Sequence, residues 1–451
     1  MDTFKLKKPD LSKNTRDYWM KFFADFDKKN IAEFVFKAGF SSNDRYLFWD
    51  EFKYKKYFDE DKINTPQDWQ ALKIVRKIKS KNTPIKTQDG NVFSYVDLPN
   101  LGQFLHEVDL NWGGKFSLDN IINERDKRKV FLSGLSEEAI ASAQIEGAHS
   151  TRKVAKRLIK EGGKPKNKSE RMILNNYEAI MKIESEYSNQ KLTLGDIFDL
   201  HKVITKYTLD DESEAGRFRK KDEEINVVEN STGIVYYKTP DISFVEKEMD
   251  KFIEFINDED GSFIHPVIKA IMIHFWIAHL HPFVDGNGRM ARLLFYWYLF
   301  KHELKIFAYL PISLVIKENQ KDYSMAYVYS EQDDEDLTYF IDYNIRKIKQ
   351  AIKDFEIYLE KLKKEAKNQE RKMKELEIEY KLNYRQIELL EYLSKNEINK
   401  MTLKVYVENN KISKATGLKD LKTLKENGWI LGEKSGRNIY YFITPEGNKI
   451  I

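Results

Sequence analysis

Cysteine is absent from the 451 residues of this sequence. Disulfide bonds and thiolate chemistry are therefore excluded, and the composition suits a reducing cytoplasm. Long apolar runs are absent too, because the densest one, LLFYWYLF at 293–300, has eight residues where a membrane span needs about 18. The opening stretch MDTFKLKKPDLSKN lacks the apolar core of a signal peptide. We therefore expect a cytoplasmic protein with no membrane association.

A strong excess of one charge is also missing, since the net charge is only +4. The chain as a whole is therefore not a polyanion binder, although a local basic patch is compatible with this value. Hydrophobic residues make up 41% and charged residues 33%, which is typical of a globular protein with a well-solvated surface. A chain of this length predicts about two to three domains.

The hydrophobic spacing predicts a mainly α-helical protein. Residues 1–130 carry aromatics at three- and four-residue spacing, as in DYWMKFFADF and NDRYLFWDEFKYKKYF, which predicts the core positions of a helical N-terminal region. Residues 131–344 show further helical patterns, interrupted at 224–240 by β-branched and aromatic runs on either side of ENSTG. These runs predict a β-hairpin.

A short helix is predicted over 136–147, in SEEAIASAQIEGAHS. Ser136 is a residue type that commonly caps a helix N-terminus, and the two acids that follow it suit the positive end of the helix dipole. Gly147 is a natural C-terminal cap, so we expect a helix of about three turns between them.

A long charged helix is predicted over 345–379, with residues at alternating four and three spacing that are apolar except for Gln369. This seam is compatible with pairing with a second copy, giving a homodimer, or with packing along the protein's own core. The seam positions are Ile348, Ile352, Phe355, Leu359, Leu362, Ala366, Gln369, Met373, Leu376 and Tyr380.

Residues 380–451 show helices followed by two strands around Ser435 and Gly436, the pattern of a winged helix-turn-helix. This segment holds 11 Lys and 2 Arg against 8 acidic residues, an excess of +5. The excess favours a polyanion such as DNA, whereas domains of this kind also serve in protein interaction or dimerisation.

The segment HPFVDGNGRMAR at 281–292 lies between two apolar helical stretches and is unusually polar. Gly286 and Gly288 lie two positions apart in a chain with little glycine, and glycines leave backbone N–H groups open to an anion. The loop leads directly into a predicted helix, whose N-terminal N–H groups favour phosphate. Arg289 and Arg292 lie three apart on one face of that helix and add two cations. The segment therefore predicts an anion-binding site.

Two further side chains give this site its chemistry. Asp285 supplies a carboxylate, and a magnesium ion on a nucleotide needs only one or two carboxylates from the protein. His281 is able to accept a proton near neutral pH. An anion cradle, a metal ligand and a base together predict phosphoryl or nucleotidyl transfer. A zinc site formed by His274, His279 and His281 is disfavoured, because no cysteine or acid completes a tetrahedral set.

HPFVDGNGRMAR resembles, position for position, the signature of Fic proteins, which typically transfer AMP from ATP to a hydroxyl side chain of a target protein. HKVIT, EAGRFRKKDEEINVV, IHFWIAHLHPF and NQKDYSMAYVY are also similar to the Fic core, so the resemblance covers roughly 190–335. It implies a helical Fic core with a β-hairpin flap, ATP as co-substrate, Mg²⁺ as cofactor and a protein target. The implied enzyme is a nucleotidyltransferase.

The resemblance also implies the roles of single residues. His281 is similar to the base that deprotonates the target hydroxyl, and Asp285 to the magnesium ligand. Arg292 would hold the γ-phosphate. Tyr323 matches a tyrosine near the adenine, whereas Glu331 stands where the family has an asparagine.

The backbone of the flap and of the loop completes this expected ATP site. Residues 286–289 resemble the cradle for the α- and β-phosphates, and residues 234–237 resemble the part of the flap beside the nucleotide and the target backbone. The full expected ATP-binding set is Ile234, Val235, Tyr236, Tyr237, Asp285, Gly286, Asn287, Gly288, Arg289, Met290, Ala291, Arg292 and Tyr323.

SAQIEG at 142–147 matches the inhibitory [S/T]xxxE(G/N) motif of Fic proteins whose inhibitory helix precedes the core. Ser142 and Glu146 are four apart and hence lie on one helical face. In such proteins the glutamate pairs with the second arginine of the signature, here Arg292, and blocks productive seating of the γ-phosphate. The resemblance therefore implies autoinhibition by Glu146, and in some relatives the same glutamate supports removal of AMP.

Two alternatives remain open at this point. Base recognition lies outside the signature, so transfer of UMP, phosphocholine or phosphate is an alternative to transfer of AMP. The winged-helix pattern motivates a second alternative, a DNA-binding regulator that uses the Fic core as a nucleotide sensor. The intact His281 disfavours this second alternative, because a sensor has no use for a base.

Overall fold

The computed structural model describes residues 3–10, 46–54, 65–98, 101–112, 124–161, 163–223, 225–228, 233–261, 263–394, 399–435 and 438–451. The predicted aromatic core positions in DYWMKFFADF lie outside these residues, as does part of NDRYLFWDEFKYKKYF. The chain divides into two compact units, Met1–Glu356 and Ile357–Ile451.

The described part of the first unit is mainly helical and contains two short β-hairpins. Its elements in chain order are α1 (Trp49–Phe52), α2 (Pro66–Lys79), β1 (Lys81–Lys86), β2 (Val92–Tyr95), α3 (Leu101–Glu107), α4 (Glu124–Ile145), α5 (Arg152–Glu161), α6 (Lys168–Lys182), α7 (Leu194–Thr205), β3 (Asn226–Val228), β4 (Val235–Lys238), α8 (Ile242–Ile256), α9 (Pro266–Leu280), α10 (Asn287–Lys301), α11 (Ile312–Lys317) and α12 (Gln320–Gln332). Helix α13 (Thr338–Tyr380) begins in this unit and ends in the second.

Helices α9 and α10 form the centre of the first unit and pack against each other. All of α9 is buried except Pro266 and Ala278, and α10 is buried from Arg289 to Phe300. A helix that is apolar on all sides belongs in the interior of a protein. The polar loop 281–286 that joins the two helices is therefore held between two well-packed elements.

The predicted hairpin at 224–240 is present as β3 and β4, which pair antiparallel. The other hairpin, β1 with β2, was missed within the N-terminal region that the sequence predicts as helical. Its turn contains Asp89 and Gly90, and Gly90 has φ of +88°. The Asp-Gly pair is a turn signal, but KNTPIK before it is mostly polar and contains a proline, so the strand pattern on that side is weak.

Helix α4 begins at Glu124 and ends at Ile145, so the expected start of a helix at Ser136 was wrong. Ser136 lies inside α4, and its hydroxyl donates to the carbonyl of Leu132 (2.6 Å). Gly147 follows the helix with φ of +89°, as its expected role of C-terminal cap requires. The physical reason is that tertiary packing extends α4, since α4 packs along α6 and α11.

The second unit contains the end of α13 and a small domain with its own core. The further elements are α14 (Tyr384–Ser394), β5 (Met401–Thr402), α15 (Leu403–Asn410), α16 (Lys414–Glu426), β6 (Ile430–Ser435), β7 (Asn438–Ile443) and α17 (Pro445–Ile450). The three strands form one sheet in the order β5-β7-β6. Asp420 on α16 is buried and binds Arg385 and Tyr406, which ties α16 to α14 and α15. The assignment of this domain as a winged helix-turn-helix stays a prediction.

The seam predicted on the long helix is buried at its two ends. Ile348, Phe355, Leu359 and Leu376 are all buried. Within the described part of the chain, no helix is both long and apolar enough to cross a membrane.

Candidate active site

The loop between α9 and α10 begins and ends with left-handed backbone. His281 closes α9 with φ of +49°, and Gly286 precedes α10 with φ of +86°. Positive φ is uncommon for a residue with a Cβ atom and is frequently found at functional sites. At Gly286 a Cβ would also lie 3.0 Å from Cγ2 of Thr205, so this position requires glycine.

His281 has a defined tautomer. Its Nδ1 lies 3.1 Å from the carbonyl oxygen of Ala278, an acceptor, so Nδ1 carries the proton and donates. The other ring nitrogen, Nε2, is then the basic one. Burial lowers the pKa of His281 to about 4, against the smaller opposing effects of the Ala278 carbonyl and the Glu146 carboxylate. The imidazole is therefore neutral at pH 7 and able to accept a proton.

The start of α10 is formed by Asn287 and Gly288. Asn287 is buried and uses its side chain within the loop: Nδ2 donates to the carbonyl of Phe283 (2.8 Å), and Oδ1 accepts from the N–H of Phe283 (3.0 Å). The contribution of Asn287 to an anion site is thus its backbone. At Gly288 a Cβ would overlap the carboxylate of Glu146. Glu146 therefore lies directly against the start of α10.

Asp285 keeps a carboxylate that is 47% exposed. One oxygen accepts from the N–H of Gly286 (2.5 Å), and the other lies 3.1 Å from an Nη of Arg289. Arg289 is fully buried, and its other Nη donates to the carbonyl of Ile204 (2.8 Å). The sequence predicted two cations on one face of α10, and in the structure Arg289 contacts Ile204 and Asp285 within the protein.

Arg292 is also buried, and its partners come from α4. Nε donates to the hydroxyl of Ser142 (2.8 Å), and one Nη donates to the Ser142 carbonyl (3.0 Å) and to Oε1 of Glu146 (2.8 Å). Burial lowers the pKa of Arg292, but the negative groups around it, Glu146 foremost, together hold the pKa above its usual value. The structure therefore brings together Ser142 and Glu146 of the motif at 142–147 and the second arginine of the signature.

Glu138 fixes α4 beside α10, and the sequence did not predict this role. Glu138 is buried and accepts from the hydroxyl of Tyr296 (2.8 Å) and the N–H of Ser313 (2.8 Å), and it also binds the Ser313 hydroxyl. Burial raises its pKa. The expected placement of Glu138 at a helix start was wrong, because α4 begins more than three turns earlier.

Two further residues that hold the loop were missed by sequence reasoning. His201 on α7 is buried, with Nδ1 accepting from the N–H of Gly216 (2.9 Å) and Nε2 donating to the carbonyl of Asp285 (2.9 Å). Burial lowers its pKa to about 4. Arg219 donates from Nε to the carbonyl of His281 (2.9 Å) and from an Nη to the carbonyl of Pro240. Both residues lie in segments that resemble the Fic core, but the spacing alone carried no signal for these contacts.

The hairpin residues expected beside the nucleotide lie on β4 and just before it. Val235 is buried, and Tyr237 reaches towards α9, where its hydroxyl lies 3.4 Å from Nε2 of His279. Nδ1 of His279 contacts the buried Glu331 carboxylate at 3.0 Å. Ile234 and Tyr236 flank Val235 in sequence, and the Arg219 contact to Pro240 ties the end of this strand to the loop.

Tyr323 lies on α12 and is buried, with its hydroxyl 2.8 Å from Nε2 of His274. Met290 and Ala291 are fully buried in the first turn of α10, so only their backbone could contact a ligand. Among the residues that the structure describes, no group of three or more His, Asp or Glu side chains is arranged to hold a metal ion.

Comparison with known proteins identifies the central part of the chain. The Fic/DOC family profile matches residues 191–299. Protein adenylyltransferase Fic of Drosophila virilis is 30% identical over 151 residues, which are 34% of this chain and 28% of that protein. Protein adenylyltransferase Fic of Drosophila melanogaster is 29% identical over 150 residues, 33% of this chain and 27% of that protein.

The chain spans less than a third of the length of these curated relatives. Among solved structures, a Fic family protein from Desulfovibrio desulfuricans has a TM-score of 0.49 and 18% identity, covering 77% of this chain and 95% of that one. The match to the family profile includes α7, both strands of the second hairpin, α9, the loop and nearly all of α10. Residues 191–299 of this chain therefore match the Fic/DOC family.

Proposed function

We propose that this protein transfers AMP from ATP to a hydroxyl side chain of a target protein, and to itself. The observation that carries the proposal is His281, a neutral imidazole with Nδ1 committed to Ala278, next to the N–H groups at the start of α10. The names of the curated relatives, protein adenylyltransferases, support the same reaction.

The α10 terminus supplies the anion site for the triphosphate. Its free N–H groups and the helix dipole favour phosphate, and the glycines at 286 and 288 let the phosphate approach closely. Arg292 is the cation that a γ-phosphate would engage, in place of the Glu146 carboxylate that it binds in this structure. Residues 234–237 and Tyr323 would line the nucleoside side of the site.

His281 acts as the base in this proposal. Nε2 takes the proton from the target hydroxyl, and the hydroxyl oxygen forms a bond to the α-phosphorus. The bond from the α-phosphorus to the bridging oxygen breaks, and pyrophosphate leaves. The proton remains on His281 until it passes to solvent or to pyrophosphate. The Ala278 carbonyl holds the ring in the tautomer that this step needs.

Asp285 fits a magnesium ion bound with the nucleotide. Its carboxylate is half-exposed beside the anion site, and Mg²⁺ typically takes one or two carboxylates and completes its shell with phosphate oxygens and water. The described residues hold no larger cluster, which agrees with a metal that arrives with its nucleotide. When bound, the ion would neutralise phosphate charge.

Glu146 would inhibit this reaction. Its carboxylate pairs with Arg292 at 2.8 Å and covers Gly288, so it competes for the cation that a γ-phosphate needs and adds repulsion of its own. In this proposal the same carboxylate would also activate water for removal of AMP, the reverse activity that the resemblance implies for some relatives.

The decisive experiment is incubation of the protein with labelled ATP, UTP or CTP, both alone and with a cell lysate. Label from the α-phosphate of ATP should appear in protein, and label from UTP and CTP should not. Incorporation from UTP or CTP in preference to ATP would replace AMP transfer by transfer of another nucleotide. Incorporation from none of the three, even in a Glu146→Gly variant, would contradict the proposal.

We propose DNA binding by residues 380–451 as a second function. We propose the cytoplasm as the location of the protein. The observation that favours DNA binding is the surface of α16, where Lys414, Lys419, Lys422 and Lys425 are exposed while the one acid in its middle, Asp420, is buried. A helix with an exposed cationic face suits contacts to DNA phosphates.

A further inference from the structure

The stretch from 152 to 171, which covers α5, the following loop and the first turn of α6, is strongly basic. It holds nine Lys and Arg residues against two acidic residues, an excess of +7 in a chain whose net charge is +4. Three of these cations form ion pairs with nearby acids, namely Arg152, Lys156 and Lys168. Five others are exposed and form no ion pair with any residue that the structure describes, and we call them the basic face: Lys153, Arg157, Lys160, Lys164 and Lys166.

Helix α5 presents the first three cations of the basic face on one side. Lys153, Arg157 and Lys160 lie four and three positions apart, which places them along one face of the helix. The apolar side of α5 is buried at Ala155 and Leu158, and the helix packs against α6. A basic helix binds a membrane by inserting its apolar side, and here that side is used within the protein. The basic face therefore suits an anionic ligand in solution.

An exposed aromatic ring with two cations beside it lies just after α7. Tyr207 is 66% exposed, and its backbone is left-handed with φ of +58°, which is unusual for a bulky residue. The centre of its ring lies 5.3 Å from Cζ of Arg171 and 5.6 Å from Nζ of Lys206. A single exposed tyrosine needs no explanation, but a ring between two cations is an arrangement suited to a ligand with both a flat ring and negative charge.

The basic face ends beside this ring. The N–H of Lys166 donates to the carboxylate of Glu170 (2.8 Å), the residue before Arg171. Lys168 pairs with Asp210 at 3.3 Å, three residues after Tyr207. These contacts bring the last cation of the basic face and the turn that carries Tyr207 to the same end of α6, so that the ring continues the charged surface.

The turn that carries Tyr207 is fixed from inside the protein. Asn175 is fully buried, and its Nδ2 donates to the carbonyls of Ile204 (3.3 Å) and Lys206 (2.8 Å). The carbonyl of Ile204 also accepts from Arg289 (2.8 Å). A strained backbone conformation persists where its surroundings hold it in place. The ring is therefore presented by a preformed turn, which lowers the cost of ordering on binding.

We propose that Tyr207 and the basic face form a binding surface for single-stranded nucleic acid, RNA or DNA. A base would stack on the exposed ring of Tyr207, and the neighbouring phosphates would contact Arg171, Lys206 and the basic face. Proteins bind single strands without sequence preference by combining aromatic rings that stack bases with cations that follow the backbone. A duplex offers phosphates but no unstacked base, so the exposed ring favours the single strand.

This surface is different from the two sites of the proposed function. Binding of a single strand at Tyr207 requires neither AMP transfer nor residues 380–451. The surface is nevertheless close to the candidate active site, because the carbonyl of Ile204, three residues before Tyr207, binds Arg289.

The first test measures stacking on Tyr207 in the full chain, by anisotropy of fluorescent oligo(U) and oligo(dT) of about 12 nucleotides. Wild type should bind at least one of them saturably. Tyr207→Asn should bind it at least about tenfold more weakly, the scale of one lost stacked base, and asparagine tolerates the left-handed backbone. Tyr207→Phe keeps the ring and should bind within about twofold of wild type.

The two probes also distinguish the sources of the ligand. Tighter binding of oligo(U) would identify RNA, and tighter binding of oligo(dT) would identify DNA. No binding of either probe at about 50 mM salt, or equal binding by wild type and Tyr207→Asn, would overturn the proposal. Binding of phosphatidylserine vesicles in preference to both probes would replace nucleic acid by a membrane surface and would also overturn it.

The second test measures the basic face without changing Tyr207. Lys160→Ala with Lys164→Ala should weaken binding of the same probe. The slope of the logarithm of the binding constant against the logarithm of the salt concentration should fall in magnitude by about 1.4, about 0.7 for each lost phosphate contact on a single strand. Lys182→Ala with Lys191→Ala, whose side chains pair with acids, is the control of equal charge. An equal loss in both double variants would mean that only net charge matters, and the proposal would fail.

The third test locates the bound strand. A probe with a photoreactive base should cross-link at Tyr207, and peptide mass spectrometry identifies the position. Cross-links confined to residues 380–451 would place single-strand binding in the tail and overturn the proposal. Lys419→Ala with Lys422→Ala should bind the single strand as tightly as wild type, so that failure of duplex binding by the tail and failure of this surface are measured separately.

Discussion

Glu146 and Arg292 lie 146 positions apart in the sequence, and their side chains meet at 2.8 Å beside the start of α10. Ser142 binds the same guanidinium through its hydroxyl and its carbonyl. The pair places a negative charge at the position where a helix terminus and an arginine would otherwise attract a phosphate. Removal of the Glu146 carboxylate should therefore raise activity more than removal of any other side chain of the candidate site.

Glu146→Gly should raise self-AMPylation at least about tenfold, because it frees Arg292 and removes repulsion of the γ-phosphate. Arg292→Ala should give no such gain, since it removes the partner of the phosphate together with that of the inhibitor, and the double variant should stay weak. Intact-mass measurement of AMP incorporation for the four proteins is the check. Equal incorporation of AMP by wild type and Glu146→Gly would mean that SAQIEG has no inhibitory role.

His281→Ala should lower AMP transfer at least about 100-fold, the scale of general-base catalysis, while ATP binding stays within about twofold of wild type. The reason is that the backbone cradle and Asp285 are untouched by this change. His149→Ala, at an exposed histidine, is the matched control. Calorimetry with ATP and a labelled-ATP assay measure the two effects, and loss of binding in His281→Ala would argue for a structural role.

Asp285→Asn should remove the dependence of ATP binding on magnesium. The amide keeps the size of the side chain but is a poorer ligand for Mg²⁺ than a carboxylate. We expect wild type to bind ATP at least about tenfold more tightly with Mg²⁺ than without it, and the variant to show no such difference. Titration of ATP into both proteins with Mg²⁺ or with EDTA is the measurement. A magnesium effect of equal size in both proteins would exclude Asp285 as the ligand.

Stability should fall as the pH drops from about 6.5 towards 4, and His201 should be one cause. Burial lowers the pKa of His201 to about 4, whereas an unfolded histidine has a pKa of about 6.5. Between these values the unfolded chain binds a proton that the folded chain does not, so lowering the pH favours unfolding.

His201→Gln should therefore flatten the decline of the melting temperature between pH 7 and 5, and the exposed His106→Gln should leave that decline as it is in wild type. Thermal unfolding at constant ionic strength measures this. The same slope in wild type and in both variants would mean that His201 is not among the groups that link stability to pH.

Lys419→Ala with Lys422→Ala should weaken binding of a random 20-base-pair DNA duplex. The slope of the logarithm of the binding constant against the logarithm of the salt concentration should fall in magnitude by about 2, one for each lost phosphate contact. Lys361→Ala with Lys363→Ala, on α13 outside the tail, is the control of equal charge. Anisotropy between about 50 and 200 mM salt is the measurement. If wild type binds no duplex even at low salt, the tail is a protein-docking module.

The loop between α9 and α10 is the part of the candidate site that the local sequence identified. HPFVDGNGRMAR is contiguous, so its histidine, glycines and arginines could be assigned to a helix end, a turn and a helix start without knowledge of the rest of the fold. The different hydrogen-bond partners of Arg289 and Arg292 could not be assigned from the local sequence. They depend on α7 and α4, which place Ile204 beside one guanidinium and Ser142 beside the other.

The sequence by itself thus determined what depends on a few neighbouring residues: the helical class, the hairpin at 224–240, the polar loop and the glycine that follows α4. Tertiary structure decided what depends on residues far apart in the chain, namely the contact of Glu146 with Arg292 and the support of the loop by His201 and Arg219. The physical reason is that backbone preference and periodicity act over one or two turns, whereas partners of buried polar groups are chosen by how whole helices pack.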